Sequence, residues 1–222
     1  MRFIGVCIET TDVEAARVAY ATLLDVASTG TPRAPRFALD RGVVELTEGE
    51  PGRATLLFRQ DAPDDAWPTD AATFHGMPIR VDPVAPDGSS MNVGIAVDHV
   101  VVFTPSPARA IALWRDRFGL RLAFDKEFPA RSVRLLFFRS GGLTLEYASA
   151  LPAPPDVDAP DRFYGVSYRV TDLDARRARL LAAGVDVSEI RTGNKAGTRV
   201  ASVRSGTGGA PTLLLEDEGR RA

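Results

Sequence analysis

The 222-residue chain has a single cysteine and two histidines, and neither sign of charge dominates. One cysteine, Cys7, forbids an intramolecular disulfide. It lies inside the apolar run Phe3-Ile4-Gly5-Val6-Cys7-Ile8 and reads as a buried structural thiol; a nucleophilic thiol would need a basic neighbour, which only His75 or His99 could supply as an imidazole. A formal charge of -2 gives no basic surface to neutralise phosphates, so nucleic-acid binding is disfavoured. No apolar run approaches membrane-spanning length, and the first residues lack the basic-then-apolar pattern of a signal peptide. The expectation is a cytoplasmic protein with no membrane partner. No nucleophile-elbow pattern supports a serine-histidine-aspartate triad.

What is present is ordinary hydrophobic content, 45%, and a length sufficient for one large or two small domains. The most informative stretch is 97–149. Val97-Asp98-His99-Val100-Val101-Val102-Phe103 reads as a strand, and Pro105 to Phe118 as a helix ended by Gly119. Arg121 to Phe124, Arg134 to Arg139 and Leu143 to Ala148 then read as three more strands. The period of two puts His99 on one face of its strand with Val97, Val101 and Phe103, and Glu146 on a face with Thr144 and Ala148. A histidine and a glutamate on two strands of one sheet suit two metal ligands; equally, His99 reads as a satisfied, partly buried histidine and Glu146 as a rim carboxylate.

The same plan recurs. Phe3 to Ile8, a helix over Val13 to Leu24 capped by Thr10-Thr11-Asp12, and strands at Arg36 to Leu39 and Val43 to Leu46 form a first copy. Ala54 to Arg59 and Met77 to Val81 are strands of a degenerate copy, with Asp61 to Thr73 lacking a helical stripe; His75 falls at a turn there. A last copy runs from Phe163 to Val170, through a helix ending near Gly184, to strands at Val185 to Arg191, Thr198 to Arg204 and Thr212 to Glu216. Clustered arginines on that helix read as a solvated face. The arrangement predicts an α+β fold of repeated βαβββ modules forming curved mixed sheets with helices outside. It predicts a reduced domain over 1-84, a linker over 85-95 and a complete two-module domain over 96-218.

Val97 to Val102, Trp114-Arg115-Asp116-Arg117-Phe118-Gly119-Leu120, Leu143-Thr144-Leu145-Glu146 and Gly193-Asn194-Lys195-Ala196-Gly197-Thr198-Arg199-Val200, in that order, resemble the vicinal oxygen chelate superfamily of glyoxalases, bleomycin-resistance proteins and extradiol dioxygenases. The resemblance implies a divalent metal, zinc, iron, manganese or nickel, held in a cleft between modules. Carried over, the ligands are His99 and Glu146, with Glu146 doubling as base. The matching positions of the last copy, Gly165 and Leu214, cannot coordinate; Glu216, two residues on, is the candidate third ligand. Arg199 and Tyr168 are candidate contacts to a small-molecule substrate. The implied function is a glyoxalase-like enzyme of lyase, isomerase or dioxygenase type with an incomplete metal site; the alternative is a metal-free binding or sequestering protein of the bleomycin-resistance type. A homodimer that exchanges modules is compatible with either.

Overall fold

The computed structural model describes residues 1–61, 72–83, 93–217 and 219. The expected linker over 85-95 and the stretch Asp61 to Thr73 lie mostly outside these residues. Two mixed sheets carry the fold. One has the strand order β2-β3-β4-β1-β5-β7-β6, from β1 (Arg2–Thr10), β2 (Thr29–Thr31), β3 (Ala34–Ala38), β4 (Val43–Glu48), β5 (Ala54–Arg59), β6 (Ala72–Phe74) and β7 (Met77–Asp82). The other has the order β13-β14-β15-β12-β8-β11-β10-β9. Its strands are β8 (Ile95–Phe103), β9 (Arg121–Phe128), β10 (Val133–Ser140), β11 (Leu143–Ala150), β12 (Arg162–Val170), β13 (Arg191–Thr192), β14 (Thr198–Val203) and β15 (Thr212–Asp217). In each complete module the first strand pairs parallel with the last, as β8 does with β11 and β12 with β15.

By compactness the chain divides into two units, and each takes strands from both sheets. One contains Met1–Val6, Ala54–Gly88 and His99–Tyr164; the other contains Cys7–Arg53, Ser89–Asp98 and Gly165–Ala222. One sheet takes its strands from Arg2–Asp82 and the other from Ile95–Asp217, so sheets and compact units are cut differently. The reason is packing. In the first unit Trp114, fully buried on the helical segment after β8, stacks on Phe58 of β5 at 5.2 Å, and Phe58 meets Phe3 of β1 at 5.2 Å. Tyr147 and Phe138 continue this aromatic core. β5 thus buries Phe58 against the helical segment of residues 107–117.

That helix is not uniform. Pro107–Ile111 (α2) is α-helical, but Ala112–Arg117 winds as a π-helix, and the N–H of Phe118 donates to the carbonyl of Leu113 at 3.0 Å. In the second unit α1 (Val13–Leu24) has the expected limits, with Asp12 accepting from Ala15 N–H and Ala16, Tyr20, Leu23 and Leu24 buried. α3 (Leu173–Ala182) carries the clustered arginines, which are not simply solvated. Arg176 Nη1 donates to the carbonyl of Leu24 at 3.1 Å and Arg179 Nη2 to that of Leu23 at 3.4 Å. These are carbonyls that a helix C-terminus leaves without intrahelical partners, so the arginines close the end of α1. The strand expected over Val185 to Arg191 is reduced to a bridge between Val187 and Val203 and the two-residue β13.

Candidate functional site: a sheet face around His99 and Glu146

The site belongs to the first unit, on the face of β8, β9, β10 and β11 opposite the Trp114 core. Residues paired directly across a sheet share a face, so register alone assembles it. In one row, Val101 of β8 lies beside Glu146 of β11, Glu146 beside Phe137 of β10, and Phe137 beside Phe124 of β9. In the next, His99 lies beside Thr144, Thr144 beside Arg139, and Arg139 beside Arg121, with a bulge in β9 taking up the extra residue. A third row runs Phe103, Ala148, Leu135, Lys126. Leu136, Phe138, Leu145 and Tyr147, which alternate with these residues, are buried at 1% exposure or less and fill the core behind.

His99 and Glu146 are brought together: Nε2 and Oε2 stand 3.8 Å apart, and the side chains keep 18% and 16% of their exposure. The pair is therefore reachable from solvent yet substantially desolvated, which strengthens its electrostatics. Aromatic surface flanks it on both sides. Phe124 stacks on Phe137 with centroids 4.8 Å apart. Across from them, Phe103 and Tyr164 are in contact at 4.6 Å while remaining 39% and 48% exposed. Apolar rings left half-open around a carboxylate and an imidazole form a surface that an organic ligand can cover.

Measured against a metal, the pair supplies two donors of suitable type. At bond lengths of about 2.0–2.2 Å, tetrahedral ligand atoms stand roughly 3.4 Å apart, so a few tenths of an ångström of movement would close His99 and Glu146 on one ion. The remaining positions are not supplied. Among the described residues there is no group of three or more His, Cys, Asp or Glu side chains that could hold an ion. Glu216 lies in the other unit, buried to 3% and bound to Arg199 at 3.0 Å. Leu214 is fully buried. At Gly165 a Cβ would lie 2.3 Å from the carbonyl oxygen of Pro211, so the backbone approach leaves no room for any side chain. The parallel register pairs Thr212 with Val166, as it pairs Thr144 with His99. The residue in the ladder position of His99 is thus Val166 rather than Gly165, a one-residue shift that places an apolar side chain there instead.

The two expected substrate contacts, Arg199 and Tyr168, belong to the other unit. Arg199 is held between Glu216 and Asp174, the latter at 2.7 Å. Tyr168 is fully buried near Tyr20, and burial raises both phenol pKa values. Phe124, Phe137, Arg121 and Arg139 join this face through the bulged register of β9 and β10, which strand alternation in the sequence does not signal. His75 is at a turn as expected, with φ 51°, and its carbonyl accepts from Asp161 N–H at 2.6 Å. Burial lowers the His75 pKa, helped by Arg109 and opposed by Asp161. Asp161, 3% exposed, accepts from Arg109 at 2.8 Å, and its own pKa is raised by burial. This cluster pins the loop 151–161 and is structural.

A second concavity, about 680 Å³, is lined in the other unit by Asp40, Arg41, Arg169, Asp172, Asp174 and Asp217, among others. Its acids are committed: Asp40 accepts from the N–H groups of Val93 and Gly94, and Asp217 from Lys195.

Residues 98–201 match the family described as the glyoxalase/bleomycin resistance protein/dioxygenase superfamily. The matched range contains His99 and Glu146 and ends before β15. Among solved structures, the chain is similar to methylmalonyl-CoA epimerase from Mycobacterium tuberculosis, 21% identical over 59% of this chain and 92% of that one, with a TM-score of 0.45. It is also similar to a hypothetical protein from Bacillus halodurans, 17% identical over 55% and 94%, TM-score 0.46. A third is Streptomyces coelicolor methylmalonyl-CoA epimerase in complex with 2-nitronate-propionyl-CoA, 19% identical over 55% and 96%, TM-score 0.41. No curated protein matches the chain. Among the described residues, no helix is long and apolar enough to cross a membrane.

Proposed function

We propose that the chain is a glyoxalase-like small-molecule enzyme of lyase or isomerase type, with the His99–Glu146 face as its site and Glu146 as the proton-handling group. The observation that carries this is the 3.8 Å approach of an imidazole and a carboxylate amid half-exposed aromatic rings. A flat organic molecule seated on Phe124 and Phe137 would present its polar edge to the adjoining Glu146. The carboxylate can take a proton from a carbon next to a carbonyl; the electron pair moves towards the carbonyl oxygen, and a neighbouring His99 N–H can hydrogen-bond that oxygen. A divalent ion held by His99 and Glu146 would add Lewis acidity, with weak retention because the described residues offer two donors there.

The test is proton exchange. A panel of carbonyl compounds in deuterated water, followed by proton NMR, should show at least one whose exchange the protein catalyses, and Glu146→Gln should slow it by about a hundredfold or more. In parallel, calorimetric titration with zinc or manganese alone should show weak binding that His99→Ala abolishes. The second reading, a metal-free binding or sequestering protein, is favoured by the buried Leu214 and the closed position at Gly165. Stabilising ligands without exchange of any compound would select it.

A further inference from the structure

Resting on the reading of the His99–Glu146 face as the ligand site, we infer that the ligand carries an anionic group, a carboxylate, sulfonate or phosphate, held between Arg121 and Arg139. Both arginines are exposed. They occupy directly opposed positions on β9 and β10. The row that contains them continues through Thr144 to His99, so they share the face of the imidazole and, one row on, of Glu146 and Phe137.

Opposed residues of an antiparallel pair hold their Cβ atoms about 4.5–5.5 Å apart, and like charges there repel. Neighbouring strands elsewhere in this unit relieve such charge with a carboxylate: Arg134 of β10 is bound twice by Asp125 of β9, both contacts at 2.8 Å. Arg121 and Arg139 have no such relief; among the described residues neither makes an ion pair or side-chain hydrogen bond. The β9 bulge between the Phe124 and Arg121 pairings is what returns Arg121 to this face, since uninterrupted alternation from Phe124 would have placed it on the other. Two guanidiniums side by side offer paired N–H forks to a planar or tetrahedral oxyanion, and the oxyanion removes their mutual repulsion. Lys126 adds positive charge at the opposite end of the face, so Glu146 is the sole carboxylate in the three rows. An aromatic body on Phe124 and Phe137 with an acidic group towards Arg121 and Arg139 fits this layout.

Naphthoate and the neutral naphthamide test the inference as matched probes, by calorimetric or fluorescence titration of the full chain. Naphthoate should bind about three- to tenfold more tightly than naphthamide, as two partly exposed charge pairs allow. Arg139→Gln and Arg121→Gln should each reduce the preference, and the double variant abolish it, with circular dichroism unchanged. Raising the salt from low to about 1 M should do likewise, because the contact is exposed. If both probes bind equally, and Phe137→Ala weakens both while the arginine variants weaken neither, the inference falls and the face remains. A naphthoate preference that survives the double variant places the anion elsewhere and also overturns it. If neither probe binds, the reading of the face fails and the inference fails with it.

Discussion

Gly165 is a position that no side chain can refill. At Gly165 an added Cβ would collide with the Pro211 carbonyl oxygen at 2.3 Å, and backbone cannot swing aside as a flexible side chain can. Gly165→His, which restores the superfamily's imidazole by sequence alignment, should therefore destabilise the fold by about 1–3 kcal/mol and add no metal affinity; denaturant unfolding and zinc titration check the two halves. His75 carries the pH dependence that can be argued at this scale. Its pKa is lowered by burial in the native state, so it favours the fold above the unfolded value near 6.5, and that contribution is lost as pH falls through the lower native pKa. His75→Asn, which tolerates the positive φ, should flatten the fall in unfolding midpoint between pH 7 and pH 5. An unchanged slope would mean that the imidazole titrates alike in both states. Asp161 works in the opposite sense, since burial raises its pKa and its contribution declines as pH rises.

Among elements, the end of α1 and the edge formed by β9 and β10 show how much depends on partners distant in sequence. Arg176 is 10% exposed at its side chain, and burial lowers its pKa, yet it donates to Leu24 and lies 3.9 Å from Asp25. Arg176→Ala should cost about 1–3 kcal/mol, since a buried helix-end carbonyl loses its donor; Arg176→Lys should recover part of this. A thermal melt that does not move would return the arginines to the solvated face that their spacing suggests. The strands themselves were readable: Ala54–Arg59 and Val13–Leu24 match their predicted limits, because alternation and a capping aspartate mark them locally. β13 was overestimated because Val185 and Val187 alternate like a strand, yet of Val185 to Ile190 only Val187 and Ser188 are buried and only Val187 bridges a neighbouring strand. The π-helical winding of Ala112–Arg117 left no mark in spacing, since the stripe of buried residues reads almost the same.

At the scale of the molecule, consecutive modules build each sheet, but packing joins modules from different sheets. Phe58 from the reduced module and Trp114 from the glyoxalase-like segment stack with planes 15° apart, both fully buried. Phe58→Ala should cost about 3–5 kcal/mol, measurable by denaturant unfolding, although Phe58 lies outside the matched segment. Residues 96-218 expressed alone would expose Trp114, and should bind a hydrophobic dye and lose cooperative unfolding. A fragment that melts as sharply as the full chain would show instead that the sequence-based domain limits are also folding limits.

The sequence by itself determined the repeat, the strands and the two residues worth testing, because alternation and module order are local properties that need no coordinates. It also identified Leu214 as non-ligating. Only the tertiary structure decided which rows share a face, since register couples residues through hydrogen bonds that composition does not encode. That coupling brought Phe124, Phe137, Arg121 and Arg139 beside His99 and Glu146, while in the other unit it left Tyr168 fully buried near Tyr20. Glu216 shows the same limit: a carboxylate on a suitable strand is a ligand only if no cation holds it first, and Arg199 does.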